Sequence, residues 1–269
     1  MQILDAHCHF WRLDRGDYGW LSGPGLDAIR RDFGPSDHPG DGPVIAVQAA
    51  PTLAETDFLL SLSGPVGVVG WVDLTAAHAV TDLESRAENP RFRGIRPMLQ
   101  DIADTNWLLT APRPEALAAL PRLGLTFDAL VTRRHLGVLA EFAARNPDLA
   151  IVIDHAAKPQ PDEHSAWAQG MRALAADPRI HCKLSGLLTE LAPGDLHDPL
   201  PALRPLVAHL LDWFGPQRLI WGSDWPVLNL AGSFAQWRDL TDELLRDLSA
   251  ADRAAIMGGN AARFYGVTP

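Results

Sequence analysis

Basic residues are in short supply. Against 33 Asp and Glu stand 23 Lys and Arg, a formal net charge of −10, and no run of Lys or Arg stands out. Nucleic acid and anionic membranes both call for a basic face, so the balance argues against either as a partner and leaves small molecules open. Long apolar runs are missing too: none approaches the roughly 18 residues of a membrane span. The N-terminus shows neither the basic n-region nor the apolar h-region of a secretory signal. Cysteine is scarce, with Cys8 and Cys182 the only two. Both fall inside predicted strands, and a chain of this size needs no disulfide, so they read as buried thiols of a cytoplasmic protein. The Gly-rich nucleotide loop that often follows the first strand of an open α/β sheet is also lacking; His7-Cys8-His9-Phe10-Trp11 stands there instead.

What is present is an alternation. Short β-rich runs occur at 3–9, 44–49, 66–73, 93–97, 125–130, 151–154, 180–184 and 219–223. Helix-like stretches lie between most of them, at 53–62, 77–88, 116–123, 135–145, 165–176, 201–214 and 234–245. In the stretch from His135, for example, Leu136, Leu139 and Phe142 form one stripe, with Glu141 and Arg145 off it. Strands that alternate with helices pair in parallel through crossovers. Eight such units in 269 residues predict an α/β fold, a (β/α)8 TIM barrel of one domain over residues 1–269, with a doubly wound sheet as runner-up. Residues 14–43, rich in Gly, Pro and Asp, form a long loop after strand one, expected over the active face. The segment 249–265 opens with a Ser-x-x-Asp capping pattern and is expected to be a helix closing the exterior.

In a barrel the chemistry gathers at the C-terminal strand ends. Those ends carry His7 and His9, Gln48, Asp73, Arg96, Asp128, His155 with Lys158, Lys183 with Ser185, and Asp224. Strand alternation puts His7 and His9 on one face and Ala6 and Cys8 on the other, which makes Cys8 a poor ligand. Two imidazoles on one face are half of a divalent-metal site; the bland alternative is two unrelated histidines at a strand end. His155 and Asp224 would complete the mixed nitrogen and oxygen set that zinc or manganese accepts. Taken alone, Asp224 could cap a helix. His181 precedes Ser185 by four residues, which at about 3.3 Å each puts it well below the rim. Lys183 and Asp128 read as a buried polar layer more than as substrate contacts. His38, His78, His135, His164, His197 and His209 fall in loops or on helices and are expected at the surface. Trp11 and Trp107 lie near the expected mouth, where an indole can stack on a sugar face.

The segments DAHCHFW (5–11), GIRPMLQD (94–101), VIDHAAKP (152–159), HCKLSGLLTE (181–190), GSDWPVLNLAG (222–232) and NAARFYG (260–266) together resemble the amidohydrolase superfamily. Within it they resemble the sugar-lactonase branch, the hydrolases of L-fuconolactone, L-rhamnonolactone and related aldonolactones. The resemblance implies an enzyme that opens a small-molecule sugar lactone, with Asp224 as general base and acid and His155 beside it. Arg96, Lys158, Trp11 and Trp107 are the expected substrate contacts. Many members of the superfamily bridge two metals with a carbamylated lysine at the end of strand four. Arg96 stands there, cannot be carbamylated and would repel a second cation. At most one divalent metal is implied, zinc first and manganese second, on His7, His9, His155 and Asp224. Members of the branch that work without metal keep a metal-free route open, with His155 and Lys158 at the oxyanion. The alternative for Arg96 is a salt bridge to Asp73 or Asp128.

Two rivals follow from the same residues. One is a metal-dependent decarboxylase of a carboxylated ring, a lyase; the other is a sugar-acid binding protein without catalysis. Whether the chain forms a homo-oligomer is open, and the identity of the sugar rests with residues 14–43 and 100–112.

Overall fold

Val, Ile and Ala recur through β1 (Asp5–Cys8), β2 (Val44–Val47), β3 (Gly67–Gly70) and β4 (Phe92–Ile95), and again through β5 (Thr126–Ala129), β6 (Ile151–Ile153), β7 (Ile180–Leu184) and β8 (Leu219–Trp221). These eight parallel strands lie side by side in chain order in the computed structural model, which describes residues 3–160 and 164–268. The expected surface position of the His164 side chain lies outside the described residues. The strands are too short to reach far beyond the barrel wall, and their inward and outward side chains alternate as the pleat requires. Inside are Ile45, Val47, Val69, Val152 and Ile220, with Leu4 and Ala6, closed from below by Ala261, Tyr265 and Val267. Outside, Val44, Ala46, Val68, Ile151, Ile153, Leu219 and Trp221 pack against the helices. Each such buried Val or Ile contributes about 1.5–3 kcal/mol.

Between the strands run α1 (Leu53–Ser61), α2 (Ala79–Ala87), the one-turn α3 (Trp107–Thr110), α4 (Pro114–Arg122), α5 (Leu136–Arg145), α6 (His164–Ala175), α7 (Leu200–Phe214) and α8 (Phe234–Leu244). The architecture is a (β/α)8 barrel. The expected final helix is interrupted: α9 (Ala250–Ala254) and α10 (Asn260–Tyr265) flank a π-type turn at Ala255–Gly259, where Gly258 leaves helical geometry. The segment after β1 is likewise less bare than its Gly and Pro content suggests. It carries 3-10 turns at Leu13–Arg15, Gly19–Ser22, Asp27–Ile29 and Pro35–Asp37, and Trp11 bridges to Phe33. Among the described residues no helix is long and apolar enough to cross a membrane.

The seam between first and last strands is made just past β8. Asp224 N donates to His7 O at 2.7 Å, and His9 N donates to Trp225 O at 2.7 Å. Closing the ring is therefore the same event as bringing the His-x-His against Asp224. Gly222 makes the approach possible: a Cβ there would lie 2.6 Å from His7 Cβ.

Candidate active site

His7, His9 and Asp224 face one another because two neighbouring backbones deliver them. Asp5 fixes the junction. Its Oδ1 accepts from His7 N at 3.1 Å and from Ser223 N at 2.8 Å, while Oδ2 meets His38 Nε2 at 2.9 Å. His38 is thus held inside, with its side chain 4% exposed, not at the surface as expected. His135 also departs from that expectation: it is buried, its Nδ1 accepting from Thr132 N at 3.2 Å, because a turn there needs a cap. The alternation around β1 is broken as well. Asp5 pairs with Val44 and Cys8 with Ala46, three steps against two, so a bulge lies between them. As a result Ala6 faces the barrel interior and is not on the side of Cys8 as strict alternation predicts.

Three imidazoles converge on a single carboxylate oxygen. From Asp224 Oδ1, His9 Nε2 is 3.3 Å away, His7 Nε2 3.7 Å and His155 Nε2 3.8 Å. His155 reaches this point through an unusual backbone. Residues His155, Ala156, Ala157 and Lys158 have φ of 51°, 48°, 58° and 53°, a left-handed turn built without glycine. Such positions cost about 1–2 kcal/mol each and persist only where surroundings enforce them. Here Trp167 Nε1 on α6 donates to Ala156 O at 2.7 Å, and His155 Nδ1 meets Ser185 Oγ at 2.9 Å. In a turn of three residues, positions i and i+3 fall on one side. His155 and Lys158 therefore both face the cleft. Gly186, at φ 63°, leaves room for the ring, since a Cβ there would come within 2.5 Å of His155 Nδ1.

Below lies a second polar layer, fully buried. Lys183 Nζ is 2.5 Å from Asp128 Oδ2, 3.0 Å from Asp154 Oδ1 and 2.9 Å from His7 Nδ1. Tyr265 on α10 donates its hydroxyl to Asp128 at 2.7 Å. Lys183 and Asp128 are thus the buried layer expected of them, and His181 lies on the barrel floor beside Phe264. Asp73 accepts from Thr75 N in a local turn and takes no part. Arg96 spans the two layers: Nη1 is 3.4 Å from His7 Nε2 and 3.6 Å from Asp154 Oδ2. Gln48 locks it, taking Nη2 on its carbonyl and donating its own amide to Arg96 O at 2.6 Å. The acidic partner of Arg96 is therefore Asp154, not Asp73 or Asp128.

The cleft above has a volume of about 590 Å³. His9, Arg96, His155, Lys158 and Asp224 line it, with Trp20 and Leu26 from the insertion and Met98, Leu130 and Val227 as apolar wall. The two tryptophans expected there are elsewhere. Trp11 is fully buried, donates to Arg31 O at 2.8 Å and stacks behind His9 with ring centroids 6.4 Å apart. Trp107 packs half-buried on the outer core. The indole at the mouth is Trp20, anchored by Nε1 to Ala49 O at 2.9 Å.

The charges are strongly conditioned. Burial, then the neighbouring Lys183, holds His7 well below the usual imidazole range, and burial brings His155 down to about 4 against the pull of Asp224. Burial would raise Asp224, but His155, His9 and His7 outweigh it and keep the carboxyl ionised. His9 Nδ1 meets Val47 O at 2.8 Å. A carbonyl only accepts, so Nδ1 carries a hydrogen, and a neutral ring then turns its Nε2 lone pair toward the carboxylate. Two lone pairs so placed call for a cation or a proton between them. His7, His155 and Asp224 each offer a ligand atom within 4.8 Å of the others. His7 Nδ1 lies 2.9 Å from the Lys183 ammonium, which only donates, and 3.4 Å from Asp154 Oδ1, so Nε2 becomes a ligand when the ring hydrogen sits on Nδ1 toward Asp154. This donor set fits one divalent cation, and the Arg96 guanidinium leaves no place for a second.

Sequence reasoning missed Asp154 and Trp20. Asp154 carried a signal, the one charge ending an otherwise apolar strand. Trp20 carried none, because its place depends on how the insertion folds.

Comparison with known proteins bears on the family and the fold. The profile of the amidohydrolase family matches residues 4–267. An L-fucono-1,5-lactonase of Burkholderia ambifaria is 46% identical, over 97% of this chain and 94% of its own. A second, from Burkholderia multivorans, is 38% identical over 97% and 95%. A crystal structure of a Burkholderia multivorans amidohydrolase with bound zinc superposes with a TM-score of 0.87 at 36% identity, covering 100% of both chains. A matched barrel, a shared sequence over nearly its whole length and one profile from end to end place this chain in the amidohydrolase family.

Proposed function

We propose that this protein hydrolyses the ring ester of a sugar lactone, with L-fucono-1,5-lactone, the compound named for its relatives, as the first substrate to try. The observation that carries the reading is the convergence of His7, His9 and His155 on Asp224 Oδ1 at the wall of a cleft large enough for a sugar ring. Asp224 takes a proton from water as the water oxygen bonds to the lactone carbonyl carbon. Arg96 faces the oxygen on which negative charge develops, and on a metal-free route His155 and Lys158 join it. The bond from carbonyl carbon to ring oxygen then breaks, and Asp224 returns the proton to the departing ring oxygen. One water is added in all, and the product is a hydroxy acid that ionises at neutral pH. One divalent cation on His7, His155 and Asp224, with His9 alongside and zinc the first choice, would when bound acidify water and polarise the carbonyl. Trp20 supplies the apolar face for the ring. Two free, fully buried thiols, Cys8 and Cys182, suit the cytoplasm as its location.

A panel of aldonolactones read with a pH indicator, with and without chelator, tests the reading. Acid release from a 6-deoxy or related aldonolactone is the expected result. Carbon dioxide from aromatic acids without lactone turnover would establish the lyase instead, and binding of sugar acids with no turnover would leave only a binding protein.

A further inference from the structure

On the lactonase reading, the molecule that arrives is neutral and the one that leaves is an anion. A cleft that holds its substrate through cations would hold its product harder still. Both cations of this cleft are neutralised from behind. Arg96 stands 3.6 Å from Asp154 and Lys158 Nζ stands 3.6 Å from Glu190 Oε1. Neither carboxylate lines the cleft. Asp154 belongs to the layer below. Glu190 ends the turn Leu188–Glu190 beyond β7, with Oε2 accepting from Gln160 Nε2 at 2.6 Å. The Lys158 side chain is 26% exposed and that of Glu190 13%, so the ammonium meets solvent in the cleft while its counter-charge stays back. Of the other acids in the lining, Asp17 is paired with Arg15 at 3.0 Å, while Asp101 and Asp224 add negative charge. Among the described residues, and apart from any divalent cation, the wall thus offers N–H donors with no uncompensated positive charge.

We propose that Glu190 is a positioning residue for product release: it lets Lys158 hydrogen-bond the neutral lactone and keeps it from retaining the carboxylate formed on ring opening. The physical basis is a competition. A carboxylate entering beside Lys158 meets an ammonium already shared with Glu190, so most of the attraction that a lone ammonium would exert is cancelled. Removing the charge of Glu190 should strengthen the grip on the acid and barely change the grip on the neutral lactone. A merely mechanical tie between the two loops would affect both alike.

Glu190→Gln keeps the shape and an oxygen for Gln160. In the full-length enzyme, the KM of an aldonolactone and the Ki of its own aldonic acid are measured side by side, with melting temperature as control. The Ki is expected to fall about tenfold and the KM to move by less than about twofold. Adding Lys158→Met to that variant should return the Ki to the parent value. Equal shifts of Ki and KM, or an unchanged Ki in a variant that melts like the parent, would overturn the proposal. Should the Gln variant melt early, Lys158→Met alone decides. Its Ki should rise by less than about twofold while Glu190 is present, and a tenfold rise would mean that Lys158 holds the product after all. A parent enzyme that opens no aldonolactone removes the lactonase reading and this proposal with it, whereas an active parent with parallel shifts removes the proposal alone.

Discussion

Deep in the barrel, Lys183 lies between Asp128 and Asp154, and Arg96 reaches Asp154 from above. At the cleft floor, Asp224 lies among three imidazoles, two of which, His7 and His155, burial and neighbouring cations keep short of protons. The lower layer matches two carboxylates with two cations and is electrically complete. The upper layer has one carboxylate and no fixed cation of its own. The two touch through His7, whose ring meets Lys183 on one side and Asp224 on the other. A buried layer that is balanced holds shape; one left short of positive charge is prepared to receive a cation or a proton during reaction. The difference separates what these similar-looking polar residues are for.

Breaking the lower layer should have the largest effect. Lys183→Met leaves Asp128 and Asp154 with Arg96 as their one remaining cation, at an expected cost of about 3–5 kcal/mol. Thermal or urea unfolding checks it, and a variant as stable as its parent would abolish the contrast between the layers. Asp224→Asn should do the opposite, lowering the turnover number at least about a hundredfold with little loss of stability. Asn also tolerates the left-handed backbone of Asp224, at φ 60°, so misfolding is a poor explanation for lost rate. A near-normal rate in that variant would refute the general-base role. Arg96→Ala asks which layer Arg96 serves. A KM raised about tenfold with a smaller change in kcat assigns it to the substrate, while an unchanged KM with a lower melting temperature assigns it to Asp154.

The smallest expected effect comes from a buried acid outside both layers. Burial pushes Glu55 up to about 8, although the amides of Ala49 and Ala50 pull it down. The unfolded chain releases that proton near 4.5 and the native state near 8. Between those values the native state binds more protons, so its stability falls as pH rises. Glu55→Gln removes the loss. Between pH 5 and pH 9 the parent should lose at least about 3 °C more in melting temperature than the variant. A gap independent of pH would show that Glu55 does not retain its proton.

The barrel and its strand ends were legible because a pleat has a fixed period and an α/β chain alternates its elements. His7, His9, Arg96, His155, Lys158 and Asp224 follow from that periodicity once the ring is closed. Where local rules break, the reading failed. The bulge in β1 turned Ala6 inward, and no pattern in five residues announces an inserted one. Trp11 and Trp107 were assigned by nearness to the rim, but indoles carry more apolar area than most side chains and bury it wherever the packing allows. Residues 14–43 fold on contacts with the rest of the molecule, so neither Trp20 at the mouth nor His38 against Asp5 could be placed from composition. Asp154 was visible and undervalued: a carboxylate ending an apolar strand needs a cation, and Lys183 and Arg96 were both available.

The hydrogen bonds that complete the ring of strands, Asp224 N to His7 O and His9 N to Trp225 O, join residues more than two hundred positions apart. While the chain is still emerging from the ribosome, its early histidines have no acid to work with. On the proposed role of Asp224, chemistry would begin only once β8 docks, so turnover would report that the ring has closed.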